Sequence, residues 1–118
     1  MNMLWVFLGG GLGAILRYGI SIITYKGPSG FPLSTLIANL LACLILSILV
    51  FSIDNLDPKL KLLIGTGLCG GLSTFSTFSY ETVDLIQSGQ VGLSILYILI
   101  SIICCGLIFY GVWWWSAR

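Results

Sequence analysis

The chain has 118 residues, 58% of them hydrophobic and only 8% charged, with a mean hydropathy of +1.08. No soluble domain this short has interior enough to hide that much apolar surface, so lipid is the solvent and a separate extramembrane domain is excluded. A net charge of +1 argues against a nucleic-acid partner, and the lack of histidine removes the usual proton shuttle and the commonest metal ligand.

Four hydrophobic blocks fill the sequence, at about 4–25, 32–52, 60–86 and 91–115. They predict an all-α membrane protein, a single four-helix transmembrane domain over residues 1–118. The first block follows a start without lysine or arginine and has no small-residue cleavage site after it, so it reads as a membrane helix rather than a signal peptide. It carries Gly9, Gly10, Gly11 and Gly13, and the Gly9-to-Gly13 spacing lets helices approach closely. Arg17, two turns before its end, either snorkels to the interface or faces a polar cavity. Lys26 to Gly30 reads as a loop.

The second block opens near Pro32, tolerated in a first helical turn. Thr35, Asn39 and Cys43 then recur at i, i+4 and i+8 on one face. An amide in hydrocarbon must be hydrogen-bonded, so Asn39 is either interhelical glue or a donor lining a pathway. The charged stretch from Asp54 to Lys61 reads as a solvated loop and a helix start.

The third block is interrupted. Gly70 and Gly71, followed by Ser73 and Thr74, make poor helix interior where the bilayer midplane should lie. A broken helix is tolerated in a membrane only where it is buried in protein or lines a wet cavity, so this stretch is the candidate site. Phe75 and Phe78 share a face of the helix that resumes. Glu81 sits either near the far interface or at a vestibule. In the fourth block Ser94, Tyr97, Ser101 and Cys105 form one polar stripe, read as part of a shared wet track, and Trp113 to Trp115 anchor the end at the headgroups. All four cysteines fall inside spans without a CxxC pair and read as small apolar packing residues.

Lys59, Lys61 and Arg118 lie on one side of the bilayer against Lys26, with Arg17 added if it snorkels that way. This weak charge bias permits insertion in both orientations. Four helices are also too thin a bundle to enclose a polar pathway, which points to an antiparallel homodimer.

With Gly9-Gly10-Gly11-x-Gly13-Ala14, Arg17-Tyr18, Thr35-x-x-x-Asn39 and, above all, the run from Gly70 through Phe75 and Phe78 to Glu81, the sequence resembles the Fluc (CrcB) family of microbial fluoride channels over essentially its whole length. The resemblance implies an antiparallel, dual-topology homodimer in the bacterial plasma membrane. It also implies passive export of fluoride through two pores, each built from both chains. Asn39, Phe75 and Phe78 would line the pore, and Thr35, Thr77, Tyr97 and Ser101 would continue the polar track. The carbonyls of Gly70 and Ser73 would hold a sodium ion at the dimer axis, and Arg17 and Glu81 match a family arginine and glutamate. Two positions depart from the pattern: Ser73 stands where a threonine is usual, and Cys105 where a hydroxyl is expected.

The chemistry agrees with that reading. Phenylalanine edges carry partial positive charge and can face an anion without trapping it. The alternative class is a small proton-coupled exporter of drugs or of fluoride. A drug exporter needs a carboxylate in the first helix, where this chain has Arg17; a coupled fluoride exporter would rely on Glu81. An enzyme is not expected, since no nucleophile–base or metal-ligand arrangement is present in the sequence.

Overall fold

The computed structural model describes residues 1–24 and 30–118. The end of the first block at Tyr25 and most of the loop expected at 26–30 lie outside the described residues. Among the described residues, four helices are long and apolar enough to cross a membrane: Asn2–Ile23, Leu33–Phe51, Pro58–Gln87 and Val91–Ser116. The protein is a multi-pass membrane protein. We name the first two α1 and α2 and the last α6.

The third crossing is composite. It opens as α3 (Pro58–Lys61), where Asp57 caps the first turn by accepting the Lys59 N–H and Pro58 occupies a position that needs no amide donor. It widens into a π-helical segment (Leu62–Cys69), tightens into the single turn α4 (Gly70–Leu72), breaks, and resumes as α5 (Phe75–Gln87). The break lies one step beyond the glycine pair. Gly70 is helical (φ −65°, ψ −37°), whereas Ser73 and Thr74 are extended (ψ 152° and 116°).

Gly71, and Gly67 one turn before it, serve packing instead. A Cβ on Gly67 would lie 2.8 Å from Gly9 Cα and 2.9 Å from Val6 O, and one on Gly71 would strike Gly10 O. On the facing side, Cβ atoms on Gly9 and Gly13 would run into the backbone at Leu63 and Leu68. Gly9 and Gly13 are the two buried residues of α1. In lipid, where no hydrophobic force presses helices together, such backbone-to-backbone approach supplies the van der Waals contact. The wide π turn coincides with this approach, at a place where π segments often mark function.

The break divides the crossing between two neighbours. Its first half packs on α1 and α2, with Ala38, Ala42, Cys69 and Leu72 forming one buried cluster. Its second half crosses to α6, where Leu36, Leu85 and Tyr97 form another. The molecule measures 49 × 35 × 21 Å. Its thinnest dimension is about two helix diameters, too little to surround a pathway on all sides.

Candidate functional site

At the break, Asn39 on α2 meets the extended backbone. Thr74 N–H donates to Asn39 Oδ1 at 2.8 Å, and Asn39 Nδ2 lies 3.4 Å from Thr74 O. The amide thus pairs with both polar groups of the Thr74 backbone, its NH₂ end through one N–H at the longer distance, which leaves the second N–H over. The contact also removes a helical bond. Thr74 N–H, which would have closed onto Gly70 O in an unbroken helix, is diverted to Asn39, leaving the Gly70 carbonyl without its i+4 donor. Thr74 also caps α5, its Oγ1 accepting the Thr77 N–H at 3.2 Å.

A groove of about 280 Å³ opens beside this junction, lined by Asn39, Ser73, Phe75, Phe78, Ser101 and the thiols of Cys43 and Cys105, with Thr74 and Ile102 completing it. Phe75 and Phe78 lie with ring centroids 5.8 Å apart. Phe75 is 79% exposed on this chain, while Phe78 is half-buried against Tyr97 at 5.0 Å. Ser101 is 7% exposed, and its Oγ is a buried side-chain polar atom without a hydrogen-bond partner among the described residues. A buried hydroxyl is ordinarily satisfied, so this unpaired donor beside the groove is an exception among the described residues.

The other expected residues belong to a second cavity of about 440 Å³, lined by Arg17, Ser34, Thr35, Thr77 and Glu81 together with α1 residues. Arg17 therefore faces a polar cavity. Glu81 is not free: it is 8% exposed. Its two oxygens accept from Thr35 Oγ1 and Tyr97 OH, both at 2.9 Å. Such paired hydroxyl donors are what a buried carboxylate requires. Tyr97, fully buried, lines neither cavity. Its ring packs on Phe78 and Phe31, and its hydroxyl reaches Glu81, so it forms the wall between groove and cavity. Gly70 lies in a smaller hollow with Cys43, Cys69 and Ser73.

Not all of the fourth-helix stripe joins the groove. Ser94 Oγ donates to Thr82 O at 3.0 Å and ties α6 to α5, so it is structural. Two features escaped the sequence reading. One is the π segment, for which no local signal exists. The other is Thr74 as both cap and partner of Asn39, whose signal was present as a hydroxyl residue directly before a new helix.

A family model described as CrcB-like protein, Camphor Resistance (CrcB), matches residues 4–112. The chain belongs to the CrcB family. Among its relatives, the fluoride-specific ion channel FluC of Pyrococcus horikoshii is 45% identical over 112 residues, covering 90% of this chain and 89% of the relative. That of Clostridium perfringens (strain ATCC 13124) is 48% identical over 103 residues, covering 84% and 80%. That of Serratia proteamaculans is 51% identical over 92 residues, covering 75% and 72%. The CrcB match spans α1 to most of α6, so both cavities lie within the shared region.

Proposed function

We propose that this CrcB protein is a fluoride channel whose ion passes along the groove at the helix break. The observation that carries this reading is the donor set converging there: the free Asn39 N–H, the orphan Ser101 hydroxyl, and the ring edges of Phe75 and Phe78. Fluoride is small and strongly hydrated, so its water shell must be replaced by donors as it enters hydrocarbon. Neutral donors and ring quadrupoles do this without the tight hold of a full positive charge, and an ion must be able to leave as well as enter. The naming of the relatives as fluoride-specific channels supports the choice of ion.

The pathway is completed, in this reading, by a second copy in antiparallel orientation. The 21 Å thickness, the 79% exposure of Phe75 and the open side of Gly70, where a Cβ would meet nothing within 4 Å, all favour a partner across this face. A two-fold axis in the membrane plane would then give two pores. Sodium also fits. The Gly70 and Ser73 carbonyls, at a turn where helical donors are lost, are the hard oxygen ligands such a cation takes, with the remainder coming from the second copy. When bound there, sodium would add a fixed positive charge beside the anion path. Thr35, Thr77, Arg17 and Glu81 line the second cavity and would form the pathway's further end.

The test is ion efflux from liposomes containing the purified protein, read with a fluoride electrode under a potassium–valinomycin shunt. Fluoride efflux that needs no proton gradient, with chloride retained, is the expected result. Equal passage of chloride, or no flux, refutes the proposal. Flux that ceases when the proton gradient is collapsed would instead favour a coupled exporter.

A further inference from the structure

Cys43 on α2 is one turn beyond Asn39, and Cys105 on α6 is one turn beyond Ser101. Because Asn39 and Ser101 both wall the groove, the next turn of each helix brings the two thiols level, and both line the same groove. Each is half-buried, and neither is in a disulfide. Cys104, a quarter-turn round α6, is outside the groove, and Cys69 is buried in the packing between α2 and the third crossing.

We propose that Cys43 and Cys105 form a two-thiol site for a soft monovalent cation such as silver or cuprous ion, and that its occupancy closes the groove. Thiol sulfur is the ligand type that soft cations select over the hydroxyls, amide and carbonyls elsewhere in the groove. No group of three or more histidine, cysteine or acidic side chains is placed to hold a metal among the described residues. Two sulfurs alone suit the linear coordination that silver and cuprous ions accept. The reaction balances without redox: one thiol gives up its proton to the aqueous end of the groove, its thiolate binds the cation, and the second thiol donates a sulfur lone pair. The product is a neutral S–metal–S bridge, which apolar surroundings favour over a charged one. The bridge would span α2 to α6 beside Asn39 and Phe78 and obstruct an anion's passage.

The consequence for flux rests on the channel reading; the site itself does not. The experiment therefore has two readouts on the purified full chain, both in chloride-free buffer with silver nitrate as the probe. In the first, silver at one equivalent per chain is followed by maleimide alkylation and peptide mass analysis. Protection of Cys43 and Cys105 together, with Cys104 still alkylated, is expected; protection of neither, or of Cys104 instead, overturns the site. In the second, silver should block fluoride efflux from liposomes and excess dithiothreitol should restore it. With each variant scaled to its own silver-free rate, Cys43→Ala or Cys105→Ser should weaken the block by about a hundredfold, the advantage of two linked ligands over one. Block that persists in the double variant overturns the closing role. If the protein passes no fluoride at all, the channel reading fails, while paired protection would still establish the site.

Discussion

Asn39 offers the sharpest test, because its two ends do different work. The oxygen end accepts from Thr74 N–H at 2.8 Å and holds the extended backbone at the break; the nitrogen end reaches Thr74 O at the longer 3.4 Å and has a second N–H to offer an ion in the groove that Asn39 lines. In Asn39→Ala both are lost. Thr74, which is 8% exposed, would keep an amide donor without its partner, a cost of about 1–3 kcal/mol to the fold. Asn39→Asp keeps the shorter of the two bonds to the break, since a carboxylate oxygen still accepts from Thr74 N–H, while both N–H donors, the one at 3.4 Å from Thr74 O and the one offered to an anion, are gone. A hydrogen bond to a charged partner contributes about 1.5–3 kcal/mol. At about 1.4 kcal/mol per tenfold in rate, its loss slows flux by about ten- to a hundredfold, before the added repulsion between carboxylate and anion. The assay is initial fluoride efflux from liposomes, beside thermal unfolding of the same preparations in detergent. The expected pattern is Asn39→Ala slow and less stable, and Asn39→Asp slow or silent with the break intact. Asn39→Asp conducting at the wild-type rate would refute the assignment of the amide as an anion donor.

Phe75→Ile should leave the fold of each chain intact, because the ring is 79% exposed on the single chain, yet cut fluoride flux severely; unchanged flux would return this ring to a lipid-facing role. Gly13→Ala would drive a Cβ into backbone, at 2.7 Å from Leu72 N and 3.0 Å from Gly71 C, where no side chain can yield. It should destabilise by about 1–3 kcal/mol or more in thermal unfolding, and an unchanged midpoint would contradict the close approach of α1. Tyr97→Phe should cost about 1–3 kcal/mol by leaving one oxygen of buried Glu81 with no donor, and Thr35→Val should do the same to the other. The double variant should exceed the sum of the two, since the last donor then goes; strict additivity would show that the two hydroxyls act independently.

Hydropathy alone determined four membrane crossings, because lipid admits only helices whose backbone is satisfied internally. The third crossing was readable as broken for a local reason, the clustering of helix-poor residues. Its exact place was not, since Gly70 and Gly71 have poor helix propensity whether they break a helix or pack one. The approach of α1, which leaves no room for a Cβ on Gly71, keeps that turn helical, and Asn39, from 35 positions earlier, captures the Thr74 amide and sets the break just beyond it. Periodicity placed Thr35, Asn39 and Cys43 on one face but could not divide them. Thr35 went to Glu81, Asn39 to the break and Cys43 to the groove wall, because each meets a different neighbour. Sequence fixes which side chains share a stripe; the packing of the second half of the third crossing against α6 decided which of them meet a cavity and which meet each other.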